Sequence, residues 1–154
     1  MEHVHANVWA TDASADALAV TRANIAGCGR PGGRVRVAEG DWFGALPPEL
    51  RGAVDVVVSN PPYVAEADPL PAEVADWEPR DALVAGPSGL EHLERIVGEA
   101  PGWLRPGGAL VVELAPWQAP RVAERAREAG FASAEVGRDL AGRERMVVAV
   151  LPER

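Results

Sequence analysis

The chain has 154 residues, 47% hydrophobic and 25% charged, the balance of one globular domain with material for a core. A formal net charge of -8 speaks against a bare nucleic-acid binder, which needs clustered cations to neutralise phosphates. The single Cys28 excludes a disulfide framework, and neither a signal-peptide core nor a bilayer-length apolar run is present, so a cytoplasmic location is expected.

Short β-branched runs alternate with helical patterns, which predicts an α/β fold built on a mostly parallel sheet. Asn7 to Thr11 reads as a first strand ending at Asp12. Ser14 can cap a helix that runs to about Ala26, with Leu18 and Ile25 on one face and Gly27 and Gly29 at its end. Arg34 to Ala38 is a second strand, closing on Glu39-Gly40-Asp41-Trp42-Phe43. Val54 to Ser59 is the third and most apolar, and that composition predicts a central place in the sheet.

A long loop from Asn60 to about Ser88, rich in Pro and acidic residues, follows; loops of that length in compact domains are usually functional or disordered. Leu90, Leu93, Val97 and Ala100 mark a helix face. Pro106-Gly107-Gly108 turns the chain into a strand from Ala109 to Leu114. A helix from about Trp117 to Ala129 carries Val122, Ala123 and Ala126. Ala134 to Val136 and Met146 to Leu151 read as a closing antiparallel pair.

The most informative run is Ser59-Asn60-Pro61-Pro62-Tyr63, at the exit of the third strand. Asn60 offers a side-chain carbonyl as acceptor, and Pro61 a backbone carbonyl with no N–H beside it. Tyr63 adds a flat face for a planar group. Together these suit a guest NH2 group. Asp12, at a strand end, is placed to accept from ribose hydroxyls, or simply to cap the helix start beside Ser14. Asp41 could accept from an adenine amino group with Trp42 beside the ring, or be a plain turn residue. Glu78-Pro79 could shape a pocket or only fix the loop. Glu113 and Gln118 read as braces for the strand end near the loop. His3 and His5 could bind a metal but read more readily as a frayed terminus, and His92, between Glu91 and Glu94, reads as a solvated helix face.

The Asn60–Tyr63 run resembles the NPPY motif of amino-methyltransferases that use S-adenosylmethionine. With Asp12, the Asp41-Trp42-Phe43 turn, Glu78-Pro79, Ala82-Leu83, Gly107-Gly108, Glu113 with Gln118, and Arg138-Asp139 with Arg145, the chain is similar to bacterial protein-(glutamine-N5) methyltransferases that modify peptide chain release factors. Ala115 departs from the Gly usual there. The resemblance implies a Rossmann-like fold and methyl transfer to the glutamine of a release-factor Gly-Gly-Gln loop. It implies Asn60 and Pro61 as catalytic, and Asn60, Pro61, Pro62 and Tyr63 as substrate-binding. Asp12, Asp41, Trp42 and Asn60 would bind the cofactor. It implies no metal site, no membrane partner and no direct contact with nucleic acid.

Only eleven residues precede Asp12 and none is Gly, whereas a βαβ unit carrying a Gly-rich cofactor loop takes ~30 residues. Residues 1–154 are therefore expected to form a partial catalytic domain that lacks the first strand and the Gly-rich loop. The two strands flanking that missing strand would then keep unpaired edges. Two other readings stay open: a nucleic-acid base N-methyltransferase (acting on rRNA or DNA) sharing NPPY, and a truncated non-catalytic remnant.

Overall fold

The computed structural model describes residues 5–69, 77 and 79–153; Glu78 and His3 lie outside them. The chain divides into two compact units, Met1–Leu50 and Arg51–Arg154.

In the first unit, β1 (Val8–Asp12) leads through α1 (Ala15–Gly27) to β2 (Val35–Glu39), a right-sized βαβ crossover whose strands pair in parallel. Ser14 starts the helix as the sequence predicts, its hydroxyl accepting from the Ala17 N–H. Trp9 stands opposite Arg36 across the ladder, with the guanidinium 5.4 Å from the ring centre, a cross-strand cation–π pair. Leu18 and Phe43 are the large apolar side chains this unit buries among the described residues.

In the second unit, β3 (Val54–Ser59), β6 (Leu104–Glu113), β8 (Glu144–Val150) and β7 (Ser133–Arg138) form one sheet in the order β3-β6-β8-β7. β3 and β6 are parallel, and β8 runs against both its neighbours. Helices α2 (Glu91–Glu99) and α3 (Ala119–Glu128) pack on each other, and α3 lies on β7 and β8. The alternation of a strand and the 3.6-residue period of a helix meet in this core. Leu110, Val112, Val147 and Ala149 of the strands and Leu93, Ile96, Val97, Val122 and Ala126 of the helices are all buried.

The expected central place of β3 is corrected. β3 has a strand neighbour only in β6 among the described residues, and Val56 and Val58 are 53% and 74% exposed. An apolar strand needs both edges paired to sit centrally, and β1 and β2 form a separate ladder rather than joining this sheet. The long loop is also not without structure: β4 (Val64–Ala65) and β5 (Val84–Gly86) make a short parallel ladder. Among the described residues no helix is long and apolar enough to cross a membrane.

Candidate functional site

Asn60 leaves the carboxyl end of β3 and is exposed, its side chain making no hydrogen bond among the described residues. Pro61 is buried, and Pro62 and Tyr63 are half-buried. The loop is anchored from below by Gln118, which is fully buried. The Gln118 Nε2 donates to the main-chain oxygens of Tyr63 and Gly89, each at 2.9 Å. Its Oε1 accepts from the Ala115 N–H at 2.9 Å. A buried amide with three such partners has a fixed orientation, and it transmits that order to the loop. Immediately beyond, the Val64 N–H donates to the Leu83 oxygen and starts the β4–β5 ladder. The brace expected of Gln118 is thus found, and its targets are specific.

Gly89 closes this arrangement. Its φ is +76°, and a Cβ there would stand 2.8 Å from the Tyr63 oxygen and 3.0 Å from the Ala65 nitrogen. Only glycine fits both the conformation and the space.

The Tyr63 hydroxyl donates to Glu113 Oε1 at 3.4 Å. Burial raises the phenol's pKa above its ordinary value, the Glu113 carboxylate raises it further, and Arg145 works the other way. Glu113 and Arg145 line a hollow of about 450 Å³ together with Asn60, Asp139, Arg143 and Met146. Pro61, Pro62 and Tyr63 are not among its lining residues.

The far wall of the hollow is the β7–β8 turn. Asp139 Oδ1 accepts from the Ala141 and Arg143 N–H groups at 2.9 Å, and Oδ2 from Arg143 Nε at 2.8 Å. Arg145 Nε stands 3.8 Å from the same Oδ2. The Arg143 main-chain N–H is the chief reason that the Asp139 carboxyl titrates below its ordinary value. Sequence reasoning placed Asn60 here and missed Arg143; the spacing of charges in Arg138-Asp139 and Arg143 to Arg145 was the available signal.

In the first unit, Asp12 ends β1 and Asp41 lies just beyond the end of β2. Gly40 donates to the Asp12 main-chain oxygen at 3.1 Å, so the two acids are set at the same end of the pair. Asp12 Oδ1 accepts from the Ser14 N–H at 2.8 Å, so the capping role weighed from the sequence is present. Trp42 holds a φ of 50°, unusual for a bulky residue, on a turn whose Phe43 is buried. Among the described residues no cluster of three or more His, Cys, Asp or Glu could hold a metal ion.

No protein-family model matches the chain. Among curated proteins it is 46% identical over 145 residues to the release factor glutamine methyltransferase of Bordetella pertussis, covering 92% of this chain and 51% of that protein. It is 43% identical to the protein of that name from Cereibacter sphaeroides, covering 93% of this chain and 50% of that one. Among solved structures it is similar to a methyltransferase from Pyrococcus furiosus, with a TM-score of 0.67 at 20% identity over 95% of this chain and 63% of that chain. That likeness shows the methyltransferase fold. The chain spans about half the length of the curated relatives it matches. By sequence, the chain is similar to release factor glutamine methyltransferases over about half of their length.

Proposed function

We propose that this chain carries the amide-binding part of an S-adenosylmethionine-dependent protein-glutamine N5-methyltransferase whose substrate is the Gly-Gly-Gln loop of a release factor. The observation that supports it most is the exposed Asn60 amide on the hollow, at the exit of β3, on a loop tied down by buried Gln118. The names of the sequence relatives supply the substrate class.

An amide nitrogen is a poor nucleophile because its lone pair is delocalised; the resonance is reflected in a rotation barrier of ~18–20 kcal/mol. In this reading the Asn60 Oδ1 accepts one N–H of the substrate amide and the Pro61 oxygen accepts the other, which localises the lone pair. Pro61 contributes no competing N–H. Pro62 shapes the loop, and Tyr63 packs against the planar amide. Orientation of this kind can contribute ~7–11 kcal/mol to a rate. No strong base is needed, because the methylated nitrogen loses its proton readily to water.

The first unit fits the nucleoside end of the donor: Asp12 keeps Oδ2 for ribose hydroxyls while Oδ1 holds the Ser14 turn, and Asp41 with Trp42 lies at the same end of the β1–β2 ladder, suited to adenine. When bound, S-adenosylmethionine supplies an electrophilic methyl carbon on a sulfonium.

The test is transfer of labelled methyl groups by this chain to a release factor, to ribosomal RNA and to DNA, with Asn60→Ala beside it. Labelling of the release factor alone, lost in Asn60→Ala with donor affinity retained, supports the reading. Undiminished turnover in Asn60→Ala rejects the role of that amide.

A further inference from the structure

We propose that Glu113 and Arg145 are positioning residues that tether the Tyr63 ring through its hydroxyl, joining the substrate-binding loop to the wall of the hollow. The proposal rests on the reading of Tyr63 as the surface on which the substrate amide packs.

The geometry gives the Tyr63 hydroxyl a hydrogen bond of definite direction. A guanidinium can only donate and a carboxylate can only accept, while a phenol does both. The Tyr63 O–H therefore donates to Glu113 at 3.4 Å, which leaves its oxygen able to accept from the Arg145 guanidinium. The three residues come from three segments of chain. Tyr63 is on the loop after β3, Glu113 ends β6, and Arg145 lies near the start of β8. Glu113 and Met146 are register partners across β6–β8, which sets the carboxylate and the neighbouring guanidinium at the same end of one ladder. Arg145 is steadied in turn by Asp139, 3.8 Å away, whose other contacts fix the β7–β8 turn.

This arrangement holds the loop at two points. Gln118 holds the main chain of Tyr63, and Glu113 holds the far end of its side chain. With both ends held, the ring loses the rotation it would otherwise have about its first two side-chain bonds. An amide that must present its lone pair along one direction gains from a surface that does not turn. The hydroxyl is far from the packing face by covalent geometry, so the tether leaves that face to the substrate.

The chain has a single tyrosine, so ultraviolet absorbance of the phenolate reads Tyr63 alone. Tyr63 is titrated in the unaltered chain, in Glu113→Gln and in Arg145→Met, with circular dichroism confirming that each is folded. Removing the carboxylate should move the ionisation to lower pH, and removing the guanidinium should move it to higher pH. Arg145→Lys should restore most of the latter change. Opposite shifts support the tether; an unmoved titration in either folded variant overturns it. If Arg145→Met does not fold, Glu113→Gln decides alone by the same rule. The kinetic arm uses release-factor methylation: Tyr63→Phe and Glu113→Gln should each lower kcat more than they raise KM, and the double variant should be no worse than Tyr63→Phe alone. Additive losses overturn the tether. Absence of transfer in the unaltered chain, with the opposite shifts intact, supports the tether and counts only against the functional reading.

Discussion

The Gln118 side chain donates to the main-chain oxygen of Tyr63 at 2.9 Å, across 55 residues of sequence. The same nitrogen donates to Gly89, and the amide oxygen accepts from Ala115, so one buried side chain ties the loop after β3 to the start of α2 and the end of β6. This is what gives the Asn60 loop a defined base. A loop without such an anchor would have to be ordered by the substrate, at the expense of binding energy.

Gln118→Leu keeps the volume and removes all three bonds, leaving two carbonyls and one N–H unpaired in buried or partly buried surroundings. Each such group costs ~1–3 kcal/mol, so a loss of about 3 kcal/mol or more is expected. Thermal unfolding should show a midpoint lower by roughly 6–12 °C. Gln118→Glu should be worse at neutral pH than in acid, because an ionised carboxylate faces two carbonyl oxygens. A midpoint unchanged in Gln118→Leu would show that the bonds are worth nothing net.

Gly89→Ala separates close approach from backbone strain. The left-handed conformation alone costs an L-residue ~1–2 kcal/mol. Gly130 also has a positive φ, +99°, yet a Cβ there would meet nothing within 4 Å. Gly89→Ala should therefore lower the urea midpoint clearly more than Gly130→Ala. Equal losses would mean that the Tyr63 oxygen yields without cost.

How much of this was legible in the sequence depends on how local each cause is. Ser14 announces the start of α1, because a cap acts over three residues. The run into Asn60-Pro61-Pro62-Tyr63 marks β3 and its exit for the same reason. Gly89 gives no such signal: its partners at Tyr63 and Ala65 are brought there by the fold. The misplacement of β3 has a physical source as well. Apolar composition reports what a strand would bury, and says nothing about which neighbours exist to bury it; Val58 is left mostly exposed. The positive φ of Trp42, on the turn that buries Phe43, is likewise not a preference of a bulky residue.

Asp12 carries two roles that substitution can part. Asp12→Asn keeps a side-chain oxygen for the Ser14 N–H and removes the charge, whereas Asp12→Ala removes both. The proposed contact to ribose predicts ~10-fold or more loss of S-adenosylmethionine affinity in Asp12→Ala by calorimetric titration, in the range of hydrogen bonds to charged groups. Helix stability should fall in Asp12→Ala and persist in Asp12→Asn. Equal donor affinity in all three proteins would leave Asp12 with the capping role alone.

Asp139 predicts a pH dependence with a definite sign. Its carboxyl is held below the ordinary value, first by the Arg143 main-chain N–H and then by the Arg143 side chain and the Ala141 N–H, against the cost of partial burial. A group depressed in the fold stabilises it fully above its unfolded pKa, ~3.9, and loses that contribution as pH falls through the folded value. Asp139→Asn keeps the acceptor for the turn and removes the charge facing Arg143 and Arg145. The thermal midpoint of the unaltered chain should exceed that of Asp139→Asn at pH 6 to 7 by about its full margin, and the two should converge as pH falls below roughly 4. Other carboxylates titrate in the same range, but they do so in both proteins, and the difference isolates this one. A gap that stays constant down to acid pH would mean that the carboxylate's charge contributes nothing to the turn, and that its shape as an acceptor is all that the hollow's wall requires.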